Sequence, residues 1–133
     1  MEEVLKKERL VILFILDTNK TIKHYLFISL GCFIVSFIYE LFSHGVYSNY
    51  MIFAGIIPLC FGALFYLLIK NINPFSIKSK YLYNSFVACL TVWMYINGIL
   101  EIYGTTNNLV NYYIYVLLGL LVLTITSVIF SKK

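Results

Sequence analysis

The sequence predicts an all-α integral membrane protein. We expect an antiparallel four-helix bundle with both termini cytoplasmic, preceded by a short interfacial helix. The 133 residues are 61% hydrophobic and only 12% charged, whereas soluble domains are about 25% charged. Two of the predicted turns contain no Lys or Arg. The ten Lys and Arg residues occupy three other polar segments and are Lys6, Lys7, Arg9, Lys20, Lys23, Lys70, Lys78, Lys80, Lys132 and Lys133. This alternation follows the positive-inside rule for four spans.

The N-terminal segment, residues 1–23, combines a charged start with the apolar run Leu10–Leu16. A helix of seven residues rises only about 10 Å, which is too short to cross a bilayer. The start contains acids and no cleavage site follows the run, so a signal peptide is disfavoured. We therefore predict a helix lying at the cytoplasmic interface. The polar stretch 17–20 would end it, and Asp17 or Thr18 would cap the first span.

Four apolar stretches follow. The predicted spans are about 24–42, 51–69, 81–103 and 112–130. Each is long enough to cross about 30 Å of hydrocarbon, and together they form a transmembrane domain of residues 24–130. The turns 44–50 and 104–111 carry no Lys or Arg and are placed outside, whereas the loop 71–80 and the tail 131–133 are placed in the cytoplasm.

Small and helix-distorting residues indicate where the spans approach one another. Pro58 lacks a backbone N–H and predicts a kink in the second span. Ala54 and Gly62 lie four residues to either side of it, so one face of this helix is small and allows close packing with another helix. Gly98 and Gly119 are predicted to lie at helix contacts in the third and fourth spans.

Three ionisable residues lie in or beside the spans away from the lysines: Glu40, His44 and Glu101. All three are expected toward the outer face. If the first span continues past Phe42, Glu40 and His44 are four residues apart on one helical face. The neighbouring polar residues form a pocket rim and a seam along the first span: Tyr39, Asn97 and Tyr103 at the rim, and Ser29, Cys32, Ser36 and Ser43 along the seam.

This constellation has three possible roles. Two carboxylates and an imidazole suit a divalent metal ion, so Glu40, His44 and Glu101 are candidate ligands. The same groups suit a proton relay, because in a pair of carboxylates the pKa of one is raised and a histidine titrates near neutrality. In the third interpretation the side chains are hydrated at headgroup depth or satisfied by Tyr and Asn, and their role is structural.

Other function classes lack support. No nucleophile triad, phosphate loop or zinc signature is present, so we expect a non-enzymatic protein without a cofactor. Cys32, Cys60 and Cys89 all fall inside predicted spans and form no C-x-x-C pair, which favours packing over disulfide or redox roles. The basic residues flank apolar spans and form no stripe, so nucleic acid is not an expected partner.

The two predicted hairpins share a faint repeat. The segment Glu40 to Asn49-Tyr50 is similar to Glu101 to Asn111-Tyr112. Two such hairpins would be parallel repeats about an axis along the membrane normal, although chance similarity between apolar hairpins remains an alternative.

Two segments carry a resemblance to a known group. Phe42–Met51, followed by Pro58-Leu59, and Gly98–Thr105 resemble uncharacterised small four-span membrane proteins of Gram-positive bacteria. The resemblance covers about residues 24–130. It implies a fold and a location in the bacterial cell membrane but no mechanism.

The expected function is that of a small multi-pass membrane protein whose outer polar pocket binds a cation, a proton or a partner. Alternatives are an oligomeric transporter or channel subunit, an accessory subunit of a larger membrane complex, and a metal-binding membrane redox protein. The expected partners are the lipid bilayer and either further copies of the chain or a larger complex, since four helices enclose little space on their own.

Overall fold

The computed structural model describes residues 1–69 and 77–131, except for the side chains of residues 10–17 and 77. Within these ranges the chain is helical apart from short connections and contains no strand. The elements are α1 Glu2–Phe42, α2 Asn49–Ala54, a π-helical segment Pro58–Leu64, α3 Phe65–Ile69, α4 Ile77–Tyr103, a 3₁₀ turn Asn108–Asn111 and α5 Tyr112–Ser131. Most of the predicted inner loop and the two C-terminal lysines lie outside the described residues.

Four helices are long and apolar enough to cross a membrane. We refer to them as spans 1 to 4: Thr18–Phe42, Asn49–Ile69, Lys78–Tyr103 and Asn108–Ser131, of 25, 21, 26 and 24 residues. Large apolar side chains are exposed along them, with Phe27 72% and Leu68 74% accessible. Such surface is stable in lipid rather than in water. Four membrane-length helices, as predicted, are therefore confirmed.

The first helix differs from its prediction. Residues 2–42 form one continuous α-helix, so the polar stretch 17–20 does not separate an interfacial helix from span 1. No helix begins at Asp17 or Thr18, and the predicted cap there is wrong. The stretch contains neither Gly nor Pro, and its residues cost less than about 0.7 kcal/mol each in a helix. That cost is too small to end a helix that is apolar on both sides of the stretch.

Span 2 is irregular at the predicted position. Pro58 opens the π-helical segment, and the N–H of Phe65 donates to the carbonyl oxygen of Cys60, five residues earlier. Proline removes one donor from the helix and its ring clashes with the carbonyl four residues before it. The wider turn accommodates this defect.

The contacts place span 2 at the centre of a three-helix cluster. In its apolar stretch 39% of the residues are buried, against 17, 11 and 11% in spans 1, 3 and 4. Helix α1 packs along one side of it and α4 along another. Among the described residues, α5 packs extensively only against α4 and the adjoining 3₁₀ turn. These contacts therefore do not form a closed ring of four helices.

The small residues of span 2 allow this close packing. Ala54, Pro58 and Gly62 are all buried, and a Cβ added to Gly62 would lie 2.2 Å from Cδ1 of Tyr25 on α1. The predicted small face is confirmed. Because contacts within the chain already occupy this face, it is not free to dock a partner subunit.

The two predicted glycine contacts differ in outcome. A Cβ on Gly98 would lie 3.0 Å from the backbone nitrogen of Met51, so this glycine allows α4 to approach α2, as predicted. Gly119 has no atom within 4 Å of its would-be Cβ. The prediction for Gly119 is wrong, because α5 turns that face away from α4.

The molecule has two unlike ends. At the turn end lie the two short connections, residues 43–48 and 104–107. The lysine end is the opposite one and carries Lys20, Lys23, Lys78 and Lys80. The buried core cluster lies toward the lysine end and is mostly aromatic: Tyr25, Ala63, Tyr66, Tyr83 and Val87.

Candidate functional site

Glu101 lies in the last turn of α4, at a sharply defined helix end. Gly104 follows with φ 72°, a left-handed conformation that favours glycine. The N–H of Gly104 donates to the carbonyl of Glu101, and the N–H of Thr105 donates to that of Leu100. This pair of bonds is a Schellman motif. It turns the chain back so that the connection 104–107 lies beside the Glu101 side chain.

Ser48 fixes one oxygen of this carboxylate. It is fully buried, and its Oγ donates a hydrogen bond to Oε2 of Glu101 at 2.5 Å. Ser48 has an extended backbone and immediately precedes α2. The bond therefore ties the start of span 2 to the end of span 3, at the same level as the close approach of Gly98 to Met51.

A polar cavity of about 340 Å³ opens beside Glu101. It is lined by Tyr50, Asn97, Leu100, Glu101, Thr105, Thr106, Asn107, Asn108 and Asn111. We call these residues the Glu101 cavity. Most of them carry an amide or hydroxyl oxygen, and none is Lys, Arg or His. Asn97 and Glu101, four residues apart on α4, both line this cavity.

Of these amides, Asn97 bonds through its nitrogen, whereas the oxygen of Asn107 already accepts one hydrogen bond. Nδ2 of Asn97 donates to the carbonyl of Trp93 at 2.8 Å, which leaves its Oδ1 as an acceptor. Oδ1 of Asn107 accepts from the N–H of Leu109 at 2.9 Å and organises the 3₁₀ turn. The cavity is therefore rich in oxygen acceptors around one carboxylate.

His44 does not join this cavity. Helix α1 ends at Phe42, and His44 has the left-handed φ of 57°. The predicted helical pairing of Glu40 with His44 is therefore wrong, since the helix stops before reaching His44. Instead, His44 lines a separate groove of about 380 Å³ with Tyr39 and Tyr103. The two tyrosines expected at the pocket rim thus accompany the histidine rather than Glu101.

Glu40 has yet another environment. Its carbonyl accepts bonds from the N–H and the Oγ of Ser43, which close the end of α1. Its Oε1 is enclosed and has no hydrogen-bond partner among the described residues. Those residues also contain no group of three or more His, Cys, Asp or Glu side chains placed to hold a metal ion. Glu40, His44 and Glu101 are therefore not assembled as one three-ligand metal site.

The polar seam of span 1 joins helices together. Oγ of Ser29 donates to the carbonyl of Gly55 at 2.8 Å. The hydroxyls of Ser36 and Tyr95 share a bond of 3.1 Å, and Tyr95 also donates to the carbonyl of Cys32 at 2.8 Å. These groups hold α1 against span 2 and α4. The three cysteines are free thiols.

Asn84, a polar side chain that joins three helices, was not among the residues predicted from the sequence. Its Oδ1 accepts a hydrogen bond from Tyr25 and another from Tyr66, each at 2.7 Å. We call Tyr25, Tyr66 and Asn84 the Asn84 network, and it joins α1, span 2 and α4. A signal was present, because an amide inside an apolar span needs partners from other helices.

No protein-family model, curated protein or solved structure matches this chain significantly.

Proposed function

We propose that this is a non-enzymatic multi-pass protein of a bacterial cytoplasmic membrane, whose Glu101 cavity binds a small hard cation from the outer side. The orientation is supported by the basic residues. The two connections of the turn end contain no Lys or Arg, and the lysine end contains several. Under the positive-inside rule the lysine end, with both termini, faces the cytoplasm and the Glu101 cavity faces outward.

The observation that carries the cation proposal is the isolation of Glu101 among oxygen acceptors. Its carboxylate accepts from the neutral Ser48 hydroxyl, and the cavity lining contributes amide and hydroxyl oxygens but no basic side chain. A carboxylate near apolar spans needs a counter-charge or water. A cation in the cavity would supply that charge and would be surrounded by ligands of the type it prefers.

The ligand set also indicates which cations to expect and how tightly they bind. Carboxylate, amide and hydroxyl oxygens suit Na⁺ and Ca²⁺ and do not favour soft transition metals. A unit charge 4 Å from a single carboxylate near a surface gains about 4 kcal/mol, which corresponds to a dissociation constant of about 1 mM. Desolvation reduces this gain, so binding is expected to be millimolar or weaker.

Equilibrium dialysis of the detergent-purified protein against ⁴⁵Ca²⁺ and ²²Na⁺ tests this proposal. We expect saturable binding of one ion per chain by at least one cation, abolished by Glu101→Gln. Glu40→Gln is the matched control, because it makes the same chemical change on a carboxylate that does not line the cavity, and it should retain binding. Equal binding by wild type and Glu101→Gln would overturn the proposal, as would a loss specific to Glu40→Gln.

The transport hypothesis gains less support from the geometry. The seam hydroxyls of Ser29 and Ser36 are engaged in hydrogen bonds between spans, and that of Ser43 bonds to the carbonyl of Glu40 at the end of α1. The described part of a single chain therefore offers no seam of free polar groups connecting the Glu101 cavity to the lysine end. Any flux would have to run between copies of the chain.

A further inference from the structure

A second cavity lies in the half of the molecule toward the lysine end. It is a groove of about 480 Å³ between α1 and α4, and Pro58 of span 2 contributes to its lining. On the α1 side it is lined by Thr21, His24 and Ile28, among others, and on the α4 side by Asn84, Ala88 and Val92. This groove shares no lining residue with the Glu101 cavity.

The wall of the groove changes character along its length. Its polar lining residues near the lysine end include Thr21, His24 and Asn84. Deeper in the span it is lined by Ile28 and Val92 and by Thr91, whose hydroxyl donates to the carbonyl of Val87 in its own helix. Residues 21 to 28 of a helix rise about 10 Å, less than half of the roughly 30 Å hydrocarbon core. The groove therefore runs from a polar rim into the apolar interior of one leaflet.

The spans keep this groove from collapsing. At its rim, the Tyr25 hydroxyl bonds to Asn84 across the two helices. Beyond its deep end, Tyr95 bridges from α4 to Ser36 and Cys32 of α1. The two hydrogen-bonded crossings fix the separation of α1 and α4. Between them, the small side chain of Ala88 leaves the space open.

Basic side chains lie one helical turn beyond the polar rim on both walls. Lys20 precedes His24 by four residues on α1, and Lys80 precedes Asn84 by four residues on α4, so each lies on the same helical face as its rim residue. Lys23 adds a further exposed charge on α1. Lys80 also lies over the ring of Tyr66, with Nζ 6.0 Å from its centroid, which holds its charge near the rim.

We propose that this groove binds one acyl chain of an anionic phospholipid, whose phosphate lies among Lys20, Lys23 and Lys80. The apolar wall provides the chain site and the basic rim provides the charge complementarity. Basic pockets between membrane helices bind anionic headgroups in this way, with about 1 kcal/mol, or fivefold in affinity, for each lysine. The proposal is independent of cation binding at Glu101, because the two cavities lie at opposite ends of the spans.

Native mass spectrometry of the detergent-purified protein, titrated with phosphatidylglycerol or phosphatidylcholine, tests the lysine rim. We expect one phosphatidylglycerol to bind more tightly than phosphatidylcholine. Lys20→Gln with Lys23→Gln should lower this preference about fivefold for each lysine removed. The matched control is Lys6→Gln with Lys7→Gln, which removes the same charge from the same helix away from the groove and should leave the preference unchanged. Equal affinity for the two lipids would overturn the proposal.

The chain site needs a separate measurement. Phosphatidylglycerol with a photoreactive acyl chain should crosslink wild-type protein within residues 84–92 of α4 or 21–28 of α1. Ala88→Phe, which fills the groove, should abolish this crosslink, whereas Val122→Phe on the exposed face of α5 should not. Crosslinks found only on α5, or a crosslink undiminished in a folded Ala88→Phe variant, would contradict the proposal. A molecule other than a phospholipid that copurifies with the protein and remains in the groove of the photolabelled protein would also contradict it.

Discussion

The two ends of the molecule use polar groups in opposite ways. Toward the lysine end, the Asn84 network is made of neutral groups that satisfy one another between three helices, surrounded by an aromatic core. At the turn end, the Glu101 carboxylate has Ser48 as its one hydrogen-bond partner among the described residues and faces an open cavity. The first arrangement stabilises the contact between the spans. The second leaves a charge and its surrounding oxygens available to a ligand.

The two carboxylates toward the turn end sharpen this contrast. Glu40 and Glu101 occupy equivalent places in the faint sequence repeat, yet their helix ends differ. After Glu101 a Schellman motif at Gly104 builds one wall of the cavity. After Glu40 the chain passes through the left-handed His44 and Gly45, and Oε1 of Glu40 is enclosed without a partner among the described residues. Equivalent sequence positions therefore do not give equivalent sites.

The largest effect on stability is expected at the tight contact beside the aromatic core. Gly62→Ala places a methyl group 2.2 Å from the Tyr25 ring, and this ring cannot move freely because its hydroxyl bonds to Asn84. Overpacking of this kind costs about 1–3 kcal/mol. We expect a loss of about 2 kcal/mol in the free energy of unfolding, measured by SDS titration in mixed micelles.

Gly119→Ala is the matched control, because the added methyl group meets no atom within 4 Å. It should be neutral or slightly stabilising, since alanine favours helix more than glycine does. Equal destabilisation by the two substitutions would show that the packing of span 2 on α1 does not depend on Gly62.

A smaller effect is expected when the Asn84 network is removed. Asn84→Leu leaves the hydroxyls of Tyr25 and Tyr66 without their shared acceptor. Hydrogen bonds between membrane helices contribute about 0.6 kcal/mol on average, so the two together predict a loss of about 1 kcal/mol. Asn97→Leu is the control, because that amide bonds to a carbonyl of its own helix. If Asn97→Leu costs as much as Asn84→Leu, the difference drawn between the two ends is wrong.

The smallest effect on stability is expected at the turn end. Ser48→Ala removes the donor to Oε2 of Glu101, but the open cavity lets water replace it, which limits the cost to about 0.5–1 kcal/mol. Ser85→Ala removes a hydroxyl that bonds only to the carbonyl of Tyr81 in its own helix and should be near neutral. A loss above 2 kcal/mol for Ser48→Ala would mean that Glu101 is a structural group shielded from solvent.

Sequence patterns predicted the parts of this fold that follow from hydropathy and backbone chemistry. Apolar length located four membrane-length helices, and Pro58 and Gly62 located the distortion and the close contact in span 2. The polar stretch 17–20 led to a wrong helix boundary, because polar residues alone do not end a helix without Gly or Pro. The arrangement of α5 could not be predicted, because its apolar residues surround the whole helix and do not mark the face toward α4.

The sequence was sufficient to locate the candidate site but not to predict which residues line it. Glu101 and Asn97 share a helical face, so their spacing is sufficient to place them together. The separation of His44 from Glu40 depends on where α1 ends. A left-handed turn sets that end, and the spacing of the two residues does not predict it. The bond from Ser48 joins residues far apart in the chain, and no local pattern marks it.

Infrared difference spectroscopy tests the central claim most directly, because it observes the carboxylate itself. Spectra of the purified protein with and without saturating Ca²⁺ or Na⁺ should show a shift in a carboxylate stretching band. We predict that this difference band disappears in Glu101→Gln and persists in Glu40→Gln. A wild-type spectrum unchanged by either cation, or a band that survives in Glu101→Gln and is lost in Glu40→Gln, would contradict a cation site at Glu101.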